Sequence, residues 1–434
     1  MITKPKGTYD ILPGESASWA KLEEVIRRIC KLYNYKEIRT PIFESFNVFH
    51  RDLNDTSDMV TKETYDFKDR GDRMITLRPE GTAGVARAFV ENKLYASNPL
   101  SKLFYMGPMF RYERPQKGRN RQFNQFGVEA LGSNSPLIDA EVIALGASLI
   151  RALGIKNITV KINSLGDEES RNNYRNVLVN HFSKYKDCLC SDCLNRLEKN
   201  PLRILDCKVD RDKDFFKTAP KINDYLNESS KDRFNKVLKA LDDMQLKYVV
   251  DDNLVRGLDY YSHTVFELEV DVEEFGAQNV IGAGGRYDGL ISQLDGPKTP
   301  GVGMAFGLER LLLAASYSGK QLAKEDQIHI YFISLGERAQ NESLKIANIC
   351  RLGGLSCEMD FLNRGIKGQF KEADKNNARF TCILGDNELD EFKINIKDNQ
   401  TDEQETISIY DVYPYVVNKL NKQALGACAN CKEK

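Results

Sequence analysis

Residues 18–33 place Trp19, Leu22, Val25, Ile26, Ile29 and Tyr33 at three- and four-residue intervals, which predicts an amphipathic helix. YKEIRTPIFES then reads as strand, with Pro41 suited to an edge, a bulge or an interface because it lacks an N–H. After TLRPEGT a helix is expected around Gly84 to Leu94. PLIDAEVIALGASLIRALG reads as a helix stopped by Gly154, and ITVKIN as a strand. From about Asp167 to Leu246 the periodicity is helical and heavily charged. Strand character returns in RGLDYYSHTVFELEV and QNVIGAGGRYDGLI, and GVGMAFGLERLLLAAS turns from glycines into an apolar helix. Beyond a polar stretch at 318–327, strand and helix alternate as in a small α/β domain.

One segment breaks the core-building pattern. If Arg121 to Glu129 is a strand, then Arg121, Phe123, Gln125, Gly127 and Glu129 share a face. The preceding LFYMGPMFRYE ends with Arg111 and Glu113 on a common face if it too is a strand, and RPQKGRNR turns the chain back. Charges, an amide and an aromatic on one sheet face are costly to bury without partners. A ligand with phosphate, amine and heterocyclic parts would supply them; a solvated amphipathic hairpin is the plainer alternative.

With 434 residues, 41% hydrophobic and 29% charged, the chain has room for two or three domains with real cores. No apolar run approaches the roughly 18 residues that span a bilayer, and MITKPKGTYDILPGES has no apolar leader, so a cytoplasmic enzyme without membrane contact is expected. A net charge of -1 limits any nucleic-acid contact to local patches such as Arg114, Lys117, Arg119 and Arg121. Of ten cysteines, Cys188, Cys190, Cys193 and Cys207 could supply a tetrahedral zinc, but the irregular C-x-C-x-x-C spacing favours small core thiols. Cys428 and Cys431 read as idle thiols near a frayed end.

Three further segments carry ligand chemistry. RPEGT offers Arg78, Glu80 and Thr82 beside Gly81; LVRGLDYY offers Arg256, Tyr260 and Tyr261; GVGMAFGLER sets Arg310 at a helix start, an arrangement that suits anions. A turn with a buried ion pair, and core tyrosines, are the bland readings of the first two. GAGGRYDG reads by default as a tight hairpin. The phosphate loop G-x-x-x-x-G-K-[ST] is missing, which disfavours a P-loop NTPase.

In order, the long helix with the Pro41 strand, FRYE with its return strand, and GLER resemble the three signature motifs of the class II aminoacyl-tRNA synthetases. LVRGLDYY and AGGRYDG narrow the resemblance to the histidyl-tRNA synthetases of bacterial type, over nearly the whole chain from KGTYDILP. It implies an α+β fold: an antiparallel six-stranded catalytic sheet flanked by helices, a helical insertion and a C-terminal α/β anticodon-binding domain. The implied boundaries are 1–168 and 249–317 for the catalytic domain, 169–248 for the insertion, 318–327 for a linker, 328–425 for the anticodon-binding domain and 426–434 for a tail.

The resemblance also implies the activity: ATP with Mg2+ activates L-histidine to histidyl-adenylate, and a homodimer passes the histidyl group to tRNA(His). Arg111 would clamp the α-phosphate, Glu113 read the adenine edge, Phe123 and Arg310 sandwich the base, and Arg256 stabilise the reacting phosphate. Glu80 and Thr82, beside Gly81, would hold the α-amino group, Gln125 would lie near the carboxylate, and Glu129 and Tyr261, next to Tyr260, would read the imidazole. Arg114, Gln116 and Arg119 would meet the tRNA acceptor end. In the C-terminal domain Gly365 stands where the family commonly has serine, so no anticodon contacts follow. The rival readings are a regulatory paralogue of histidine biosynthesis, which would usually lack residues 328–420, and a sensor of uncharged tRNA, which would need a further domain.

Overall fold

The computed structural model describes residues 1–51, 58–116, 118–207, 209–255, 260–272, 275, 279–323 and 327–430, with side chains 58 and 423–430 excepted. They form two compact units, Met1–Leu322 and Ala323–Lys434.

The first unit is built on a sheet of eight strands: β1 Lys36–Glu37, β2 Ser101–Phe110, β3 Gln122–Leu131, β4 Ile158–Ser164, β5 Tyr248–Val250, β6 Ser262–Val270, β7 Val280–Arg286 and β8 Gly301–Gly307. Their order is β1-β2-β3-β8-β7-β6-β4-β5. The six from β2 to β4 are antiparallel, and the short strands β1 and β5 add parallel edges. The expected six-stranded antiparallel sheet is therefore the middle of a wider one.

Helix α1, Glu15–Leu32, buries Leu22, Val25, Ile26, Ile29 and Cys30. This i, i+3, i+4, i+7, i+8 stripe is the core-facing face of an amphipathic helix. It joins Phe126, Val128 and Ala130 of β3 and the buried positions of α3, Pro136–Ala152, in one core; α2 is Thr82–Glu91. Ser135 caps α3 by accepting from the Leu137 N–H, and Gly154 at φ +82° lets the chain leave in the left-handed region. The strand expected through YKEIRTPIFES is broken at Pro41, so Phe43–Ser45 pairs with Met74–Leu77 in a separate three-stranded sheet.

Segment 169–248 is largely helical. Its helices α4 Glu168–Phe182 and α5 Ser191–Lys199 share a buried cluster with Tyr261, Val265 and Tyr287, whereas α6, Glu228–Asp243, buries Phe234, Val237 and Leu241 in the main core. The second unit carries the strand and helix alternation read from its sequence, as a five-stranded mixed sheet in the order Cys357–Met359, Ile330–Ser334, Phe380–Leu384, Lys393–Asp398, Gln404–Ser408. Its last helix, Val412–Asn430, includes Cys428, and Cys431 lies outside the described residues.

Candidate active site

Strand alternation separates two environments on β3. Phe126, Val128 and Ala130 point into the core, and Gln125, Gly127 and Glu129 face the opposite side. Register then sets what each polar residue meets: Gly127 lies across from Tyr105 of β2, and Glu129 across from Gly303 of β8. A Cβ on Gly127 would fall 2.3 Å from the Tyr105 ring, and one on Gly303 would fall 1.8 Å from Glu129 Oε2. Both clashes are prohibitive, so these glycines are what allow a phenol and a carboxylate to lie along the sheet.

Around Glu129, which is 1% exposed, a buried polar array closes. Thr82 Oγ1 donates to Glu129 Oε1 at 2.7 Å, and the Tyr287 hydroxyl donates to Oε2. Tyr260 donates to Glu80 Oε2 at 3.0 Å, and Gln125 Oε1 accepts from the Gly81 N–H at 3.1 Å and from the Tyr105 hydroxyl at 3.3 Å. Tyr260 stacks at a tilt on Tyr261, with centroids 4.8 Å apart, and meets Tyr287 edge-on at 5.8 Å. Burial pushes the Glu129 carboxyl up to about 8, against the pull of the Tyr287 and Thr82 hydroxyls, and neighbouring Glu80 adds to the rise. Burial likewise holds the Tyr105, Tyr260 and Tyr287 phenols well above their ordinary range.

Tyr287 is held by an ion pair beneath the floor. Arg286 and Asp139 are both fully buried and bonded to each other, and Thr264 Oγ1 donates to the same carboxylate at 2.8 Å. Arg286 also donates to the Ser133 carbonyl at 3.1 Å and to Asp288 at 3.0 Å. The pair ties the start of α3 to the end of β7. With its lone pairs occupied, a buried pair of this kind holds position more than it adds net stability.

The other half of the array is cationic. Strand β2 ends at Phe110, so Arg111 and Glu113 lie beyond it in coil, where the Glu113 N–H turns back to the Arg111 carbonyl at 2.8 Å, and not on a strand face as expected. The Arg111 N–H still bonds the Arg121 carbonyl at 2.8 Å, and its side-chain Nε donates to the Pro79 carbonyl at 2.9 Å. Its guanidinium lies 5.3 Å from the Phe123 ring centroid and 4.0 Å from Glu113, which pairs at 3.7 Å with Arg119. Arg310, in the first turn of α7 (Leu308–Tyr317), lies 5.2 Å from the Phe275 centroid. Burial and then the charge of Arg119 hold its guanidinium below the ordinary value, as expected where cations converge on an anion site.

Several sequence candidates separate here. Arg78 donates to the carbonyls of Thr40 and Pro108, so it braces backbone. Arg256 and Gly257 lie outside the described residues, as does Lys117. Gln116 and Arg119 exchange backbone hydrogen bonds of 3.0 and 2.9 Å, which closes the tip of the connector on which Arg114 lies. Cys188 is exposed and stands apart; the sulfurs that cluster are Cys190, Cys193 and Cys207, joined by Asp210. Tyr105, Tyr287 and the Arg286–Asp139 pair were missed. The signal for Arg286 and Tyr287 was GAGGRYDG, which served to narrow the family resemblance but, read by default as a tight hairpin, gave no site residues.

Comparison with known proteins identifies the family. The family model described as Histidyl-tRNA synthetase matches residues 7–311, and that described as Anticodon binding domain matches 329–419. The chain is 50% identical over 423 residues to a histidine–tRNA ligase of Staphylococcus haemolyticus, covering 97% of this chain and all of that one. It is 52% identical over 407 residues to that of Bacillus subtilis, covering 93% and 96%. The crystal structure of apo histidyl-tRNA synthetase from S. aureus superposes with a TM-score of 0.83 at 44% identity, covering 96% of this chain and 100% of that one.

Proposed function

The chain belongs to the histidyl-tRNA synthetase family, and we propose that the floor formed by β2, β3, β7 and β8 is where it activates histidine. It is a histidine–tRNA ligase. The histidine carboxylate attacks the α-phosphorus of ATP, the substrate as its Mg2+ complex; pyrophosphate leaves, and histidyl-adenylate remains. A terminal ribose hydroxyl of tRNA(His) then attacks the acyl carbon, and AMP leaves. This is chemistry of position and charge more than of acid and base.

Glu129 is the observation that supports this placement best. A carboxyl 1% exposed, with two hydroxyl donors and a folded-state value of about 8, enters neutral solution holding a proton. A neutral imidazole has one acceptor and one donor nitrogen. The acceptor takes or shares the Glu129 proton, and the donor reaches Tyr261. Apolar analogues leave these buried groups unpaired, which discriminates more strongly than shape. Glu80 and Thr82, beside Gly81, hold the α-amino group, and the Gln125 amide, whose Oε1 is committed to Gly81 and Tyr105, offers N–H to the carboxylate. Tyr260 keeps Glu80 in place.

For ATP, the Arg111 fork grips the α-phosphate with the two nitrogens not used on Pro79. Phe123 and Arg310 take the two faces of adenine, Glu113 reads its amino edge, and Arg256 adds fixed charge at the reacting phosphate. Arg114, Gln116 and Arg119 meet the acceptor end, and the segment 169–248 clasps the acceptor stem. The catalytic domain comprises 1–168 and 249–317, with a linker at 318–327, the anticodon-binding domain at 328–425 and a tail at 426–434.

The enzyme works in the cytoplasm as a homodimer. Supporting this, Phe43, Phe67, Ile75 and Leu77 share one face of the small sheet, with Phe43 58% and Phe67 45% exposed. Among the described residues no helix is long and apolar enough to cross a membrane. Histidine-dependent ATP–pyrophosphate exchange by the purified protein tests the activity. A regulatory subunit or tRNA sensor would bind ligand without exchange, and that result would overturn the reading.

A further inference from the structure

We propose that Cys190, Cys193, Cys207 and Asp210 form a structural zinc site within the helical segment of the catalytic unit. The ligand atoms of all four residues lie within 4.8 Å of one another. Cys190 Sγ and Cys207 Sγ are 3.7 Å apart. A tetrahedron with Zn–S bonds of about 2.3 Å has an edge of about 3.8 Å, so this pair already stands at the separation zinc imposes. The widest pair closes by about 1 Å, within reach of side-chain rotation.

Two local turns present the ligands. Cys190 is the extended residue ahead of α5, and Cys193 lies in that helix's first turn, so C-x-x-C curls both sulfurs to one side. Cys207 closes the turn Pro201–Asp206, and Asp210 follows in the same three-residue step. The set is thus two matching corners, C-x-x-C and C-x-x-D. Reading the sequence for thiols alone selects Cys188 as the fourth ligand, which is exposed, and overlooks Asp210, which is fully buried.

The surroundings fit a metal's outer shell. The Cys190 N–H donates to Asp210 Oδ2 at 2.9 Å, the Asp210 N–H points at Cys207 Sγ at 3.3 Å, and Lys213 Nζ lies 2.8 Å from Asp210 Oδ1. Lys213 also donates to the Cys188 carbonyl at 2.6 Å, tying the chain ahead of the first corner to the second. Three thiols and a carboxylate converging on one point suit a divalent cation, which the sulfurs would bind as thiolates, and sulfur-rich tetrahedral sites select zinc. A disulfide is the competing use of these thiols. Its S–S bond is about 2.05 Å, far shorter than the 3.7 Å here, and it would strand the third thiol. The corners share a buried cluster with Tyr261 and Tyr287, so the metal would brace the segment behind the imidazole end of the floor.

The test is metal content of the full-length protein purified without chelators, by inductively coupled plasma mass spectrometry. We expect about one zinc per chain, retention in Cys188→Ser, and loss of most of it in Cys207→Ser and Asp210→Asn. Because the variants can misfold, the wild type is also exchanged into cobalt, with intense visible bands of a tetrahedral thiolate site expected. Zinc well below stoichiometric, equal loss in Cys188→Ser, a weak octahedral cobalt spectrum, or a Cys190–Cys207 disulfide in protein purified under reducing conditions would each overturn the site. Exchange activity is read separately, so failure of this inference leaves the proposed active site standing.

Discussion

Glu129→Gln removes the exchangeable proton at the back of the floor with little change of shape. The amide oxygen still accepts from Thr82, but Nε2 faces the Tyr287 hydroxyl and can neither give nor take the proton an imidazole needs. Losing a charge-assisted hydrogen bond costs about 1.5–3 kcal/mol, and a mismatched buried donor adds about 1–3 kcal/mol. A total near 3–4 kcal/mol corresponds to a fall of about 10²- to 10³-fold in kcat/KM for histidine in pyrophosphate exchange. The KM for ATP should stay within about twofold, because Arg111, Phe123 and Arg310 do not touch Glu129. Stability gives a second readout. The Glu129 carboxyl is raised from the ordinary 4.5 to about 8, so its contribution is fully present below about pH 4.5 and is lost as pH rises through about 8. The difference between the two values is worth at most about 5 kcal/mol. Glutamine cannot ionise, so the Tm of Glu129→Gln minus that of wild type should grow from pH 6 to pH 9. Unaltered histidine kinetics, or a Tm difference that ignores pH, would refute the reasoning.

Tyr287→Phe removes the hydrogen bond that lowers the Glu129 value, so the pH at which histidine KM turns should move upward and KM itself rise about tenfold; a turn at lower pH would contradict this. Gly303→Ala places a methyl 1.8 Å from Glu129 Oε2 and 2.6 Å from the Val128 carbonyl, so histidine titrations should show binding lost while ATP binding persists. Normal histidine affinity in that variant would show that the floor tolerates filling. Asp139→Asn removes a buried counter-charge of Arg286 and should cost about 3 kcal/mol in urea unfolding; a change below about 1 kcal/mol would mean that Asp288 suffices.

What sequence made legible were features with local causes. The α1 stripe, the Gly154 stop and the alternation on β3 each follow from period or backbone chemistry and are present in the fold. Pro41 read as an edge, bulge or interface residue within one strand, and the structure instead breaks the strand there as the chain passes from one sheet to another. Register was harder to read. Gly303 meets Glu129 across strands far apart in sequence, and even within one hairpin the pairing of Gly127 with Tyr105 does not follow from alternation alone, so GVG read only as the lead-in to an anion-binding helix when its Gly303 leaves room for Glu129. The Asp139–Arg286 pair spans 147 positions, and no window joins them. Asp210 escaped notice because an aspartate near cysteines is ordinary until folding buries it.

The most direct measurement is a crystal structure of the protein with L-histidine bound. The account predicts the imidazole over Gly303, one ring nitrogen within about 3.2 Å of the Glu129 carboxylate and the other at the Tyr261 hydroxyl, with the α-amino group at Glu80. An imidazole pointing away from Glu129, with that carboxylate bonded only to Thr82 and Tyr287, would contradict it.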